Sequence, residues 1–114
     1  MTTPLISILV PCYNGARYLA QLCESILAQT FRDFEVLILD DGSSDGTSEV
    51  LAPFRKDSRF KIFNWSPNRG VNAATSALLG LMKGDYWCNP GADDVLHPDF
   101  VAKRLPSLPT TSNR

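Results

Sequence analysis

Two adjacent carboxylates, Asp40 and Asp41, close the apolar run Val36–Leu39 and open the segment DDGSSDGT. A buried strand that stops in this way carries acidic side chains to the carboxyl edge of a sheet, where open α/β folds bind their ligands. The end of the segment, with Ser44 or Asp45 ahead of Gly46, Thr47 and Ser48, is ordinary helix N-terminus chemistry. A second acidic pair, Asp93 and Asp94, offers the hard oxygen ligands that Mg²⁺ or Mn²⁺ takes. Tyr13 adds an aromatic face, and Asn68 with Arg69 adds donors. A nucleotide suits this set: base against Tyr13, ribose or base N–H on Asp40 and Asp41, phosphates near the later aspartates. Phosphates beside carboxylates repel one another unless a divalent cation stands between them, so phosphate here implies a metal.

Each motif also has a plainer reading. Tyr13-Asn14-Gly15 reads equally as a turn into a helix, and Asn68-Arg69-Gly70 as a turn with a helix start. Asp94 reads equally as the cap of a local turn. His97, before Pro98, reads as a turn residue, and its closeness to the acidic pair keeps it only a minor ligand candidate. Cys12 has no base near it in sequence and reads as packing.

Alternating elements must bring these residues together, and the pattern supplies them. Leu5–Val10, closed by Pro11, reads as a buried strand. Ala16–Thr30 carries the helical stripe Tyr18, Leu19, Leu22, Ile26 and Leu27. Phe34–Leu39 is a second strand. Thr47–Phe54 is a short helix that ends or bends near Pro53. Phe60–Trp65 is a third strand, Val71–Lys83 a helix stopped by Gly84, and Asp85–Cys88 a brief fourth strand. Pro98–Leu105 is a last short helix with proline at its start. Such alternation predicts a parallel sheet with right-handed crossovers and helices on both faces. The loops at Pro11–Gly15, Asp40–Ser44, Ser66–Gly70 and Pro90–Asp94 then share one edge and one crevice. Pro106–Arg114 reads as a disordered tail, leaving residues 1–105 as the domain.

A chain of 114 residues supports one domain and buries roughly two-thirds of its unfolded surface. Net charge is −1 and the eleven basic residues are scattered, which argues against nucleic acid. Neither a membrane span nor a secretory leader is visible. Cys12, Cys23 and Cys88 are odd in number and far apart, which fits free thiols in a reducing compartment and predicts a cytoplasmic protein.

Taken together, VPCYNGARYLAQLCESILAQTF, FEVLILDDGSSDGT, NRG and GDYWCNPGADDVLHP resemble the family 2 glycosyltransferases of GT-A fold, in order and spacing, from Ile6 to about Phe100. The resemblance implies an α/β, Rossmann-like, mostly parallel sheet. It also implies transfer of a sugar, commonly with inversion, from a nucleotide-sugar donor (a UDP-sugar above all) to a sugar, lipid or protein acceptor. It places Tyr13 against the base and Asp40 and Asp41 on the nucleoside. Asp93 and Asp94 fall on the D-x-D region that binds ribose and a Mg²⁺ or Mn²⁺ ion. The expected donor site therefore comprises Pro11, Tyr13, Asn14, Asp40, Asp41, Asn68, Arg69 and Asp93, with Asp93 and Asp94 on the metal.

Three departures stand out. Gly91 replaces an aspartate usual in this region, and Thr75-Ser76 replaces a common Arg-Asn pair. The resemblance also ends before the family's acceptor site and general base, so the chain reads as a donor-binding half, inactive or weakly active alone, with an apolar surface that favours self-association. The alternative is a non-catalytic nucleotide-sugar-binding or interaction module. A phospho-acceptor receiver domain would need acids after its first and third strands, where this chain has Pro11–Asn14 and Asn64–Ser66. A dinucleotide dehydrogenase would need a G-x-G-x-x-G turn after its first strand, where Pro11–Gly15 stands.

Overall fold

Two apolar runs form the central strands, β1 (Ile6–Cys12) and β2 (Phe34–Asp41), paired in parallel from Ile6 with Phe34 to Cys12 with Asp40. The computed structural model describes residues 3–91 and 94–110. Strand β3 (Phe60–Trp65) pairs in parallel with β2, and the short β4 (Tyr86–Cys88) with β1, giving the order β3-β2-β1-β4. Every residue of β2 is buried, as expected of a parallel strand covered on both faces.

Alternation along the strands sorts side chains to two layers. Ile6, Ile8 and Val10 of β1 and Phe34, Val36 and Ile38 of β2 pack with Leu19, Leu22, Cys23 and Ile26 of helix α1 (Leu19–Leu27). Helix α2 (Thr47–Leu51) and helix α4 (Phe100–Arg104) join that side through Leu51 and Val101. On the other face, Leu9, Leu37 and Leu39 pack against Ala74 and Leu78 of helix α3 (Val71–Leu81). Helices therefore lie on both faces, as the sequence predicts.

The elements differ from expectation at their ends, for local reasons. β1 continues through Pro11 to Cys12. Because β4 pairs only with Ile6–Ile8, β1 lacks that neighbour beyond Ile8, a setting in which a strand tolerates proline. α1 starts at Leu19, after a turn in which the N–H groups of Tyr18 and Leu19 both donate to the Gly15 carbonyl. At Pro53 the expected bend takes the form of a 3₁₀ turn, Ala52–Lys56. The tail expected to be disordered from Pro106 is structured as far as it is described. Leu105–Ser107 form a 3₁₀ turn, Leu108 packs on the core, and Trp87 N–H donates to the Pro109 carbonyl. Residues 111–114 lie outside the described residues.

At the amino edge of the sheet, opposite the predicted site, Glu35 is 2% exposed. It accepts from the Ser7 hydroxyl at 2.6 Å, the Lys83 N–H at 2.6 Å and the Lys61 ammonium at 2.9 Å. Burial alone would raise its pKa, but these three donors outweigh burial and hold it below the ordinary value of 4.5. A depressed folded pKa means a contribution to stability that is present above the unfolded pKa and lost as pH falls through the folded one. Glu35→Gln is expected to cost about 1–3 kcal/mol near neutrality. The gap between wild type and variant in urea midpoint should narrow as pH falls below that ordinary value. A gap independent of pH would refute the assignment.

Candidate functional site

β2 ends in Asp40 and Asp41 inside the ladder, so strand alternation sends the two carboxylates to opposite faces of the sheet. Asp41, 2% exposed, lies on the α3 side. Its Oδ1 accepts from the Arg69 N–H at 2.8 Å, and its Oδ2 accepts from the Gly70 N–H at 2.8 Å and Asn68 Nδ2 at 3.0 Å. Asn68 Nδ2 also donates to the Asp41 carbonyl at 3.0 Å. One carboxylate thus fastens the whole turn between β3 and α3. A carboxylate offers about four acceptor positions, so three donors leave room for one more.

Asp40, on the α1 side, accepts from the Ser43 N–H through Oδ1 at 3.1 Å. From there the contacts cross to the loop after β1. Asn14 N–H donates to Ser43 Oγ at 2.7 Å, Ser44 N–H donates to Asn14 Oδ1 at 2.8 Å, and Ala16 N–H donates to Asp45 Oδ2 at 3.1 Å. The other oxygen of Asp45 accepts from the Thr47 hydroxyl and N–H. The Thr47 hydroxyl is the largest influence on Asp45. With the N–H groups of Ala16 and Thr47 it outweighs desolvation and holds the carboxyl below the usual carboxylate range. Asn14 sits at φ 54°, a left-handed conformation that asparagine tolerates better than most residues.

Between these two sets of contacts opens a cleft of about 250 Å³, lined by Pro11, Cys12, Tyr13, Asp41, Asn68, Val71 and Ala74. It is mostly apolar with a few convergent polar groups, the usual character of a small-molecule site. Tyr13 is 55% exposed and forms part of one wall. Cys12 donates its S–H to the Leu39 carbonyl at 3.6 Å. Burial, with the neighbouring Asp40 charge next, pushes its thiol up to about 12, so it packs rather than reacts.

Of the four loops expected around one crevice, three converge. The described part of the fourth does not line this cleft: Asn89 and Pro90 border a separate cavity with Trp87, Phe100 and Arg104. Asp94 Oδ2 accepts from the Gly91 N–H at 2.8 Å, which is the turn-capping alternative. Asp93 lies outside the described residues. His97 Nδ1 accepts from the Asp99 N–H at 3.1 Å, a turn contact. Arg69, expected as a side-chain donor, stacks its guanidinium over Trp65 at 4.5 Å and contributes its backbone N–H instead. Among the described residues no cluster of three or more His, Cys, Asp or Glu forms a metal cage. A Mg²⁺ or Mn²⁺ ion held by one or two carboxylates plus substrate phosphates needs none, and carboxylate oxygens suit it chemically.

Ser43 and the far oxygen of Asp45 join the site without a signal in the sequence spacing. The Asp45-Gly46-Thr47 pattern signals a local turn, but nothing in the spacing shows its second oxygen reaching Ala16. In the sequence Gly42 stands only as one residue of the DDGSSDGT segment. In the structure a Cβ placed there would lie 2.7 Å from the Asn68 backbone nitrogen, so the glycine permits the approach of two loops.

Comparison with known proteins adds an independent line. The sequence profile described as glycosyl transferase family 2 matches residues 7–111. A chondroitin synthase from Pasteurella multocida (strain Pm70) is 40% identical over 99 residues, covering 86% of this chain and 10% of that protein. An uncharacterized glycosyltransferase from Haemophilus influenzae is 38% identical over 106 residues, covering 92% of this chain and 42% of that protein. The chain therefore spans less than half the length of these relatives. S. aureus TarS 1-349, solved with UDP-GlcNAc, superposes with a TM-score of 0.83 at 25% identity, over 90% of this chain and 30% of that one. The mannosyltransferase PcManGT from Pyrobaculum calidifontis, at 22% identity and TM-score 0.83, covers 92% of this chain and 32% of its own. It shares the fold. Among the described residues no helix is long and apolar enough to cross a membrane.

Proposed function

The chain belongs to glycosyl transferase family 2, and from that premise we propose that it binds the nucleotide-sugar donor of a glycosyl transfer, a UDP-sugar above all. The observation that carries this reading is the cleft at the carboxyl edge, with Tyr13 on one wall and Asp41 and Asn68 on the other. TarS, a structural neighbour, is solved with UDP and with UDP-GlcNAc, which supports uridine as the nucleoside. Asp41 offers only acceptors, and the Asn68 amide N–H is already given to it. An acceptor wall favours bases with a ring N–H, such as uracil, and repels the unprotonated ring nitrogen of cytosine.

In this reading Tyr13 lies against the base, Pro11 and Val71 exclude water from its faces, and Asp41 accepts its ring N–H. Asp93 and Asp94 are the residues that would hold Mg²⁺ or Mn²⁺, which supplies positive charge to the diphosphate. The experiment is calorimetric titration of the purified chain. UDP is expected to bind measurably with Mn²⁺ present and about tenfold or more weakly in excess chelator, because the cation offsets repulsion between phosphate and carboxylate. CDP should bind about tenfold more weakly than UDP at equal Mn²⁺. Binding that ignores both metal and base would remove this reading.

A second reading, a nucleotide-sugar-binding module without turnover, is favoured by Gly91, which offers no side-chain oxygen where the family's pattern has an aspartate. Release of free sugar from a UDP-sugar in the presence of Mn²⁺ would count against it.

A further inference from the structure

We propose that Asn14, Ser43 and Asp45 form a polar clasp whose role is to position Tyr13 as a wall of the nucleotide cleft. The inference rests on the nucleotide reading for its ligand, but the clasp itself is a matter of geometry. Tyr13 is more than half exposed, so core packing does little to hold its ring. Its neighbour Asn14 is held at both ends, by N–H donation to Ser43 Oγ at 2.7 Å and by acceptance from the Ser44 N–H at 2.8 Å. Two residues on, Ala16 N–H donates to Asp45 at 3.1 Å. Three contacts therefore join the loop after β1 to the loop after β2, and all three are exposed.

The clasp does not float. Ser43 is tied to Asp40 through its N–H, and Asp45 is tied to Thr47, which is fully buried. On the opposite side Asp41 holds Asn68, Arg69 and Gly70. The acidic pair thus acts as a two-sided bracket, with Asp40 serving the Tyr13 wall and Asp41 the Asn68 wall. Strand alternation makes this division possible, since neighbouring residues face opposite ways. A site whose walls are fixed before the ligand arrives loses less affinity to ordering. Asn14 and Asp45 are positioning residues on this account and need not touch the ligand.

The test separates positioning from general stability. Asn14→Ala removes the side-chain acceptor and sits poorly at the left-handed position, whereas Asn14→Asp keeps both an acceptor and tolerance of that conformation. UDP affinity with Mn²⁺ should fall by about tenfold in Asn14→Ala and stay within about threefold of wild type in Asn14→Asp. In a Tyr13→Ala background the same Asn14→Ala change should cost less than about twofold, because its effect passes through the missing ring. Equal losses in both backgrounds would overturn the proposal.

A second measurement needs no ligand and so survives failure of the nucleotide reading. The Tyr13 backbone amide order parameter should fall from the rigid range near 0.85 to below about 0.6 in both Asn14→Ala and Asp45→Ala. Absence of UDP binding to the wild type would end the nucleotide reading, while an unchanged order parameter would end the clasp.

Discussion

Asp41→Asn is expected to destabilise the chain by about 2–3 kcal/mol and to weaken UDP binding, although it removes little more than a charge. Asp41 Oδ1 faces the Arg69 N–H, while Oδ2 faces the Gly70 N–H and Asn68 Nδ2. Whichever way an amide is turned, its NH₂ meets a donor where an acceptor is required. With the side chain only 2% exposed, water is poorly placed to repair the mismatch. The contrast is Asp40→Asn. Asp40 holds one backbone donor, Ser43 N–H, through one oxygen. An asparagine there can keep that contact with its carbonyl, so about 1 kcal/mol or less is expected. Urea unfolding of the two variants, with UDP titration at a temperature where both remain folded, checks the asymmetry. Equal losses would show that the two carboxylates are not divided between two walls.

That asymmetry marks where sequence reading stops. The strands were legible because Ile6–Val10 and Val36–Leu39 are apolar without interruption, which a parallel strand buried on both faces requires. Their spacing with amphipathic α1 dictated a wound sheet and placed the carboxylates at its carboxyl edge. What a carboxylate does there depends on partners remote in the chain, and those of Asp41 stand 27 to 29 residues later. Both readings of Asn68-Arg69-Gly70, turn and donor, were chemically sound. The structure contains the turn together with a donor, since Asn68 gives its amide N–H to Asp41 while the Arg69 guanidinium lies over Trp65. Pro106–Thr110 misled for a related reason. Its polar and proline-rich composition hides the contacts it makes beside β4, packing of Leu108 on the core, the Trp87 N–H donated to the Pro109 carbonyl and the bridge from Tyr86 to Thr110. The loop holding Asp94 follows β4, at the far side of β1 from β2. A shared edge alone therefore did not bring its described residues into the Tyr13 cleft.

Gly42→Ala is expected to be the most damaging single-methyl change at this edge, and Gly46→Ala shows why. Both glycines have positive φ, 76° and 89°, so either alanine bears the left-handed penalty of about 1–2 kcal/mol. The surroundings differ. At Gly46 the nearest atom to an added Cβ is the end of the Glu49 side chain at 3.6 Å, an ordinary contact. At Gly42 the Cβ would stand 2.7 Å from the Asn68 nitrogen, 3.1 Å from its Cα and 3.3 Å from the Pro67 carbonyl carbon. These are backbone atoms, so relief requires moving the loop. That loop is the one Asp41 grips, and its displacement stretches the contacts to Asn68, Arg69 and Gly70 together. Overpacking of this kind adds about 1–3 kcal/mol, for a total of about 2–5 kcal/mol against roughly 1–2 kcal/mol at Gly46. UDP affinity should fall tenfold or more in Gly42→Ala, since the moving wall carries Asn68 into or away from the cleft. Thermal unfolding and UDP titration of both variants make the comparison. If Gly46→Ala matches Gly42→Ala in both, left-handed strain alone explains the loss and the close approach of the two loops contributes nothing.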